Sequence, residues 1–215
     1  LTGKEAGSDL FEISNNTFDR KYPEGVLQDT PVRVMSSLPI IAAKLGRPDD
    51  FRNAVLNIIR VLDPAADFCD YLGQGARGAL ANRMTNREGV NAIGAQRLGS
   101  TVYAVNEALC QSDPPGPGKA PILRVFPAWP KEWDADFCLR VRGGFSVASH
   151  MTNGSIPRVE IAVVETHADE SIRIRNPWPG RGVKVARSSG GDEMLRGELL
   201  EVAMDQGVTV TLLPA

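Results

Sequence analysis

Long apolar runs are missing from this 215-residue chain, and so is an excess of charge of either sign. No uninterrupted apolar stretch approaches the roughly 20 residues that a bilayer-spanning helix needs, so no membrane partner is expected. Lysine and arginine number 24 against 26 acidic side chains, for a formal net charge of −2. That balance supplies no basic footprint for nucleic acid. Histidine and cysteine are scarce: His150 and His167, with Cys69, Cys110 and Cys138. They are too few and too scattered for a zinc cluster, a disulfide framework or a nucleophile–histidine–carboxylate relay. Neither a metal nor a cofactor is therefore expected. One disulfide with a free thiol and three buried thiols are both open readings.

What is present points to a folded chain rich in turns. Hydrophobic residues make up 42%, near the globular average, which excludes intrinsic disorder. The 21 glycines and 15 prolines suit many short elements joined by tight connections. Residue 1 is Leu, and no basic-then-apolar leader pattern follows it. We read the chain as a processed product or a piece of something longer. The sequons at Asn15-Asn16-Thr17 and Asn153-Gly154-Ser155 decide nothing, since such triplets are common by chance.

The first thirty residues show little periodicity and read as irregular. Pro31 stands near the start of a helical pattern carrying Val34, Met35, Leu38, Ile41, Ala42 and Leu45, which Pro39 should interrupt and Gly46 should stop. Asp49 or Asp50 caps a second helix reaching Leu62, with Phe51, Val55, Ile58, Ile59 and Leu62 on one stripe, and Asp63-Pro64 ends it. From Ala65 to Gly99 no period persists. A third helix is predicted from Ser100 or Thr101, with Val102, Val105, Ala108 and Leu109 on a shared face. The proline-rich stretch Asp113–Pro121 tolerates neither helix nor central strand.

Beyond it lie eight short β-type runs: Ile122–Phe126, Cys138–Val141, Phe145–His150, Arg158–Glu165, Ser171–Arg175, Val183–Ala186, Leu199–Ala203 and Val208–Leu212. Short strands at this spacing predict an antiparallel sandwich. The expected class is α+β, with a helical part over 1–112, a joint at 113–121 and a β part over 122–215.

Four blocks carry a family likeness. They are Val105–Ser112 (VNEALCQS), Leu123–Pro130 (LRVFPAWP), Phe137–Val147 (FCLRVRGGFSV) and Arg173–Trp178 (RIRNPW). In this order and spacing they resemble the C-terminal end of glycoside hydrolase family 95 and related six-hairpin glycosidases. The resemblance implies an incomplete (α/α)6 barrel, represented here by its C-terminal helices, followed by an antiparallel β-sandwich. It also implies a secreted or periplasmic enzyme that hydrolyses fucosides or galactosides with inversion. A carboxylic acid would protonate the leaving group while a second carboxylate positions the water. The whole barrel needs about a dozen helices, far more than this chain holds, so the general acid would lie in other polypeptide. The remaining barrel, from the same precursor or a companion chain, is then an expected partner beside the carbohydrate.

The family places its base shortly before the last barrel helix. Counting back from Asn106-Glu107 reaches Ala95, Gln96 or Arg97, none of them a carboxylate. This departure leaves Glu88 as the nearest upstream candidate base, with a solvated ion pair as its competing reading. Asn91, Gln96, Arg97 and Tyr71 are candidate sugar-binding residues. The amides and guanidinium groups would supply directional hydrogen bonds and Tyr71 a stacking face. Asn82, Asn86, Arg83 and Arg87 add to that density, and Asp67 and Asp70 read as a turn or helix cap ahead of the alternative of pocket lining. Trp129, Trp133 and Trp178 read as packing at the joint. The run Gly73–Gly78 lacks the Lys-Ser/Thr of a phosphate loop. The alternative to an enzyme is a non-catalytic carbohydrate-binding or structural module.

Overall fold

The computed structural model describes residues 8–28, 30, 37–61, 95–166 and 168–215. Four helices come first: α1 (Ser8–Lys21), α2 (Leu38–Lys44), α3 (Pro48–Val61) and α4 (Ala95–Leu109). Ten strands follow: β1 (Cys110–Gln111), β2 (Arg124–Val125), β3 (Ala135–Val141), β4 (Phe145–Met151), β5 (Val159–Val163), β6 (Ser171–Arg175), β7 (Val183–Arg187), β8 (Asp192–Leu195), β9 (Leu199–Ala203) and β10 (Thr209–Pro214). The chain is a mixed α+β protein with its helices ahead of antiparallel sheets.

Helix α1 replaces the irregular start expected from sequence. Its stripe is thin, with Phe18 buried and Phe11 half-buried. Ser14, Asn15 and Thr17 turn their side chains back to the carbonyls of Leu10, Phe11 and Ile13. The helix is anchored from outside: Arg47 donates to Asn15 Oδ1 at 3.0 Å and to Asp19 Oδ1 at 2.6 Å, with its guanidinium 4.4 Å from the Phe18 ring. Such tertiary fixation is invisible to local periodicity.

Pro39 does not interrupt α2; it sits in its first turn, where a missing N–H costs nothing. Pro48 opens α3 in the same way, with Asp49 and Asp50 at the positive end of the helix dipole. Asp50 Oδ1 also accepts the Val26 N–H at 2.6 Å, while Asn53 donates to Val26 O and Asn57 to Leu27 O and Thr30 O. Helix α4 starts at Ala95, ahead of the Ser100 or Thr101 cap predicted, so Gln96 and Arg97 stand in helical backbone and not in a loop. Alanines dominate the contact among these helices. Ala42, Ala43, Ala54, Ala104 and Ala108 are fully buried around Phe51, and their small side chains let helix backbones approach closely.

The large sheet has six antiparallel strands in the order β3-β4-β5-β10-β7-β8. Strands β6 and β9 form a separate antiparallel ladder. Leu123 joins that ladder in parallel, its N–H donating to Arg173 O at 2.8 Å and its carbonyl accepting from Arg175 N at 2.9 Å. One buried cluster fills the β part. It takes Phe145, Val147, Val159, Ile161, Val183, Val185, Val210 and Leu212 from the large sheet, and Ile172, Ile174, Leu200 and Val202 from the ladder. Burial alternates along β4, β6 and β9, the period-2 signature of a sheet with one face on a core. Strand β8 escaped the sequence reading because DEML carries no alternation and lies mostly exposed; its pairing with β7 creates it.

The Arg142–Gly144 turn between β3 and β4 needs its glycines. Gly143 and Gly144 have φ of +88° and +83°, and a Cβ on Gly144 would sit 2.8 Å from Ala168 Cβ and 2.9 Å from its Cα. A left-handed backbone and a collision with main chain act together. Gly144→Ala is expected to lower the unfolding free energy by about 1–3 kcal/mol in urea titration, and a stability unchanged from wild type would contradict this account.

Candidate functional site

The polar groups of this structure converge where the helices meet the strands. Strand β1 leaves α4 directly and carries Gln111, whose side chain is buried and 1% exposed. Its Nε2 donates to Ala43 O at 2.8 Å and to Glu107 O at 2.9 Å. Both carbonyls lie in the last turn of a helix, where intrahelical donors run out. One amide thus ties α2, α4 and β1 together.

Beside it lies a charge cluster. Lys44 Nζ is 2.5 Å from Asp113 Oδ2 and 3.3 Å from Glu107 Oε2. The Glu107 contact is an ion pair without hydrogen-bond geometry. Arg142 reaches Asp113 Oδ1 at 3.3 Å through Nε, and its backbone N–H donates to Ser112 Oγ at 3.1 Å. Tyr103 completes the group, with Lys44 Nζ 5.5 Å from its ring centroid.

Burial works against the Lys44 ammonium, but the hydrogen bonds it donates to Asp113 and Tyr103, with the Glu107 and Asp113 charges, outweigh it and hold its proton above the ordinary lysine range. Burial also opposes the Asp113 carboxylate, yet Lys44 and Arg142 hold it below its usual value. Tyr103 is raised by burial first, with Lys44 opposing and Glu107 adding. Burial pushes the Cys110 thiol up to about 12, so it stays protonated and unreactive at neutral pH.

A cavity of about 320 Å³ opens against this cluster. Phe11, Lys44, Gln111, Arg124, Arg175 and Asn176 are among its walls. Its size matches the lower end of small-molecule sites. The groups are anchored: Asn176 Nδ2 donates to Arg181 O and Gly197 O, and its Oδ1 accepts from Trp178 N. Among the described residues no carboxylate and no histidine lines the cavity. The described walls supply side-chain donors and acceptors for hydrogen bonds to a ligand.

The residues singled out from sequence fall elsewhere. Glu88, Asn91 and Tyr71 lie outside the described residues, as do Asp67, Asp70, Asn82, Arg83, Asn86, Arg87 and His167. Gln96 and Arg97 occupy the first turn of α4, which carries no acidic residue. Trp129 and Trp133 pack edge to face at 5.5 Å, Trp129 lies 6.1 Å from Phe51, and its Nε1 donates to Trp133 O. Trp178 is buried and donates to Ile156 O at 2.7 Å. Cys110 and Cys138 are both free thiols, the first buried and the second exposed, which overturns both the one-disulfide reading and the three-buried-thiols reading.

Sequence reading missed Lys44, Glu107, Gln111 and Asp113. Gln111-Ser112-Asp113, polar residues wedged between a helix end and Pro114, was the available signal. Among the described residues no helix is long and apolar enough to cross a membrane, and no group of His, Cys, Asp and Glu could hold a metal ion. No known protein family matches the chain in a scan of family profiles, and a search of curated proteins finds no match.

Two measurements test the cluster. Lys44→Met leaves the buried Glu107 carboxylate without its cation and is expected to cost about 1–3 kcal/mol of stability in urea titration. Asp113 contributes stability above its unfolded value of 3.8, and that contribution disappears as pH falls through its lower folded value. Lys44 contributes fully below 10.5 and loses its contribution only as pH rises past its higher folded value. Thermal melts from about pH 5 to pH 2 should therefore fall less steeply for Asp113→Asn than for wild type; parallel slopes would contradict the assignment.

Proposed function

We propose that this chain is the C-terminal portion of a carbohydrate-active enzyme of the six-hairpin kind. Its helices belong to an incomplete (α/α)6 barrel, and its two sheets form an antiparallel β-sandwich braced against that barrel. One observation carries the reading: the four blocks on which the family likeness rests pack on one another. Phe126 N–H donates to Leu109 O at 2.7 Å, joining the second block to the first. Phe126 meets Phe137 edge to face at 5.1 Å, joining it to the third. The third returns to the first through Arg142 and Ser112, and Leu123 pairs with the fourth across Ile174. Residues that share a likeness and one buried joint are what an inherited interdomain seam would leave in a sequence.

On this reading the joint is structural, and chemistry takes place at the rim of a barrel completed by further polypeptide. Substrates are fucosides or galactosides, hydrolysed with inversion in a secreted or periplasmic setting. Glu88 acts as base on the water, and Asn91, Gln96, Arg97 and Tyr71 contact the sugar. The general acid comes from the remaining barrel. A second reading has an observation in its favour: the first turn of α4 holds no acidic residue where the family keeps its base nearby. The chain would then be a non-catalytic carbohydrate-binding or structural module.

Hydrolysis of aryl fucosides and galactosides separates the two. The first reading expects turnover from the longer polypeptide, none from the 215-residue chain alone, and a loss of about 10²–10⁴ in kcat on Glu88→Gln. Full activity in that variant removes Glu88 from the mechanism. Glycan binding without turnover by the longer polypeptide selects the module instead.

A further inference from the structure

The large sheet ends in two edges, and they differ in kind. Strand β8 is four residues long, follows Gly190-Gly191, and carries two adjacent acids in Asp192 and Glu193. Shortness and exposed charge are two of the ways proteins blunt a sheet edge. Strand β3 at the other end has seven residues and no proline, glycine or lysine. Among the described residues its only strand partner is β4.

The sequence of β3 is symmetric in character about its centre. Reading outward from Cys138, Phe137 answers Leu139, Asp136 answers Arg140, and Ala135 answers Val141. The even positions, Asp136, Cys138 and Arg140, are exposed, while Phe137 is buried on the core side. In an antiparallel pair about a two-fold axis through Cys138, each Asp136 lies opposite the Arg140 of the other copy, and each Phe137 lies opposite a Leu139. Directly opposed residues in such pairs have Cα atoms about 4.5–5.5 Å apart, close enough for both charge pairs and both apolar pairs to form. The present partners of these charges compete weakly. Arg140 lies 3.7 Å from Glu165 with both side chains mostly exposed, and Asp136 sits opposite His150 in the β4 register.

We propose that the outer edge of β3 is a docking surface for a second copy of this chain. Two β3 strands pair antiparallel through Cys138 and join two six-stranded sheets into one. Strand pairing over seven residues buries less than the roughly 800 Å² per partner of a stable interface, so the association is concentration-dependent. The proposal is independent of the glycosidase reading, because it uses no residue of the candidate sugar site.

Sedimentation velocity of the 215-residue chain, from micromolar to hundreds of micromolar at low salt, tests it. A monomer–dimer equilibrium is expected. Asp136→Arg alone, or Arg140→Asp alone, turns two attractive pairs into two repulsive ones and should weaken the dimer about tenfold. The combined swap Asp136→Arg with Arg140→Asp restores the complementarity and should recover wild-type association. A short bismaleimide should link two wild-type copies and fail to link Cys138→Ser, whose sedimentation stays dimeric. A chain monomeric throughout the range overturns the proposal. So does a dimer indifferent to the single reversals, or one that the double swap fails to rescue.

Discussion

Gln111 is the side chain on which the arrangement of helices and sheets depends. Its amide sits in a place that water does not reach and satisfies the carbonyls of Ala43 and Glu107 at once. Ala43 O also accepts the Gly46 N–H at 3.1 Å, so displacing Gln111 removes a second donor at the end of α2 and the side-chain donor at the end of α4, each hydrogen bond contributing about 0.5–1.5 kcal/mol. Because Gln111 is also a residue of β1, paired with Arg124 of β2, the satisfaction of α2 and α4 is linked to the start of the β part. The Lys44–Glu107–Asp113–Arg142 cluster surrounds this contact and extends it to the β3–β4 turn.

The joint holds strain as well as contacts. Phe126 adopts φ of +51°, a left-handed conformation that is unfavourable for a bulky L-residue. Three features hold it there: the bond from its N–H to Leu109 O, the edge-to-face packing on Phe137, and the fixed ring of Pro127 after it. Aromatic packing of this kind contributes about 0.5–1.5 kcal/mol beyond burial, enough to offset much of the backbone cost. The turn lets the chain leave β2 and place Ala128 and Trp129 against the helical core. Thus the same four residues serve the β core on one side and the helices on the other.

Legibility varied along the chain for physical reasons. Ser171–Arg175 and Leu199–Ala203 were read at their true bounds because each alternates cleanly across a half-buried sheet. The stripe of α3 was equally plain in Phe51, Val55 and Ile58. Helix α1 was not, because Arg47 fixes it from another element, and β8 was not, because its pattern comes from β7. The joint was legible as a proline-rich boundary, but its pairing of Gln111 with Ala43 spans 68 residues, and no local pattern encodes such a partner. The four blocks of the likeness meet at this joint, whereas Glu88, Asn91 and Tyr71 lie outside the described residues.

By itself the sequence determined the order of helical and β parts, the proline-rich break between them, and most strands, since each follows from side-chain period and turn chemistry over a few residues. Only the tertiary structure decided that Lys44, Glu107, Gln111 and Asp113 form one cluster, that Leu123 joins the β6–β9 ladder, and that β3 is left at an edge. Those outcomes depend on which surfaces meet after the chain has folded back on itself, and a buried polar group finds its partner through space without regard to distance along the chain.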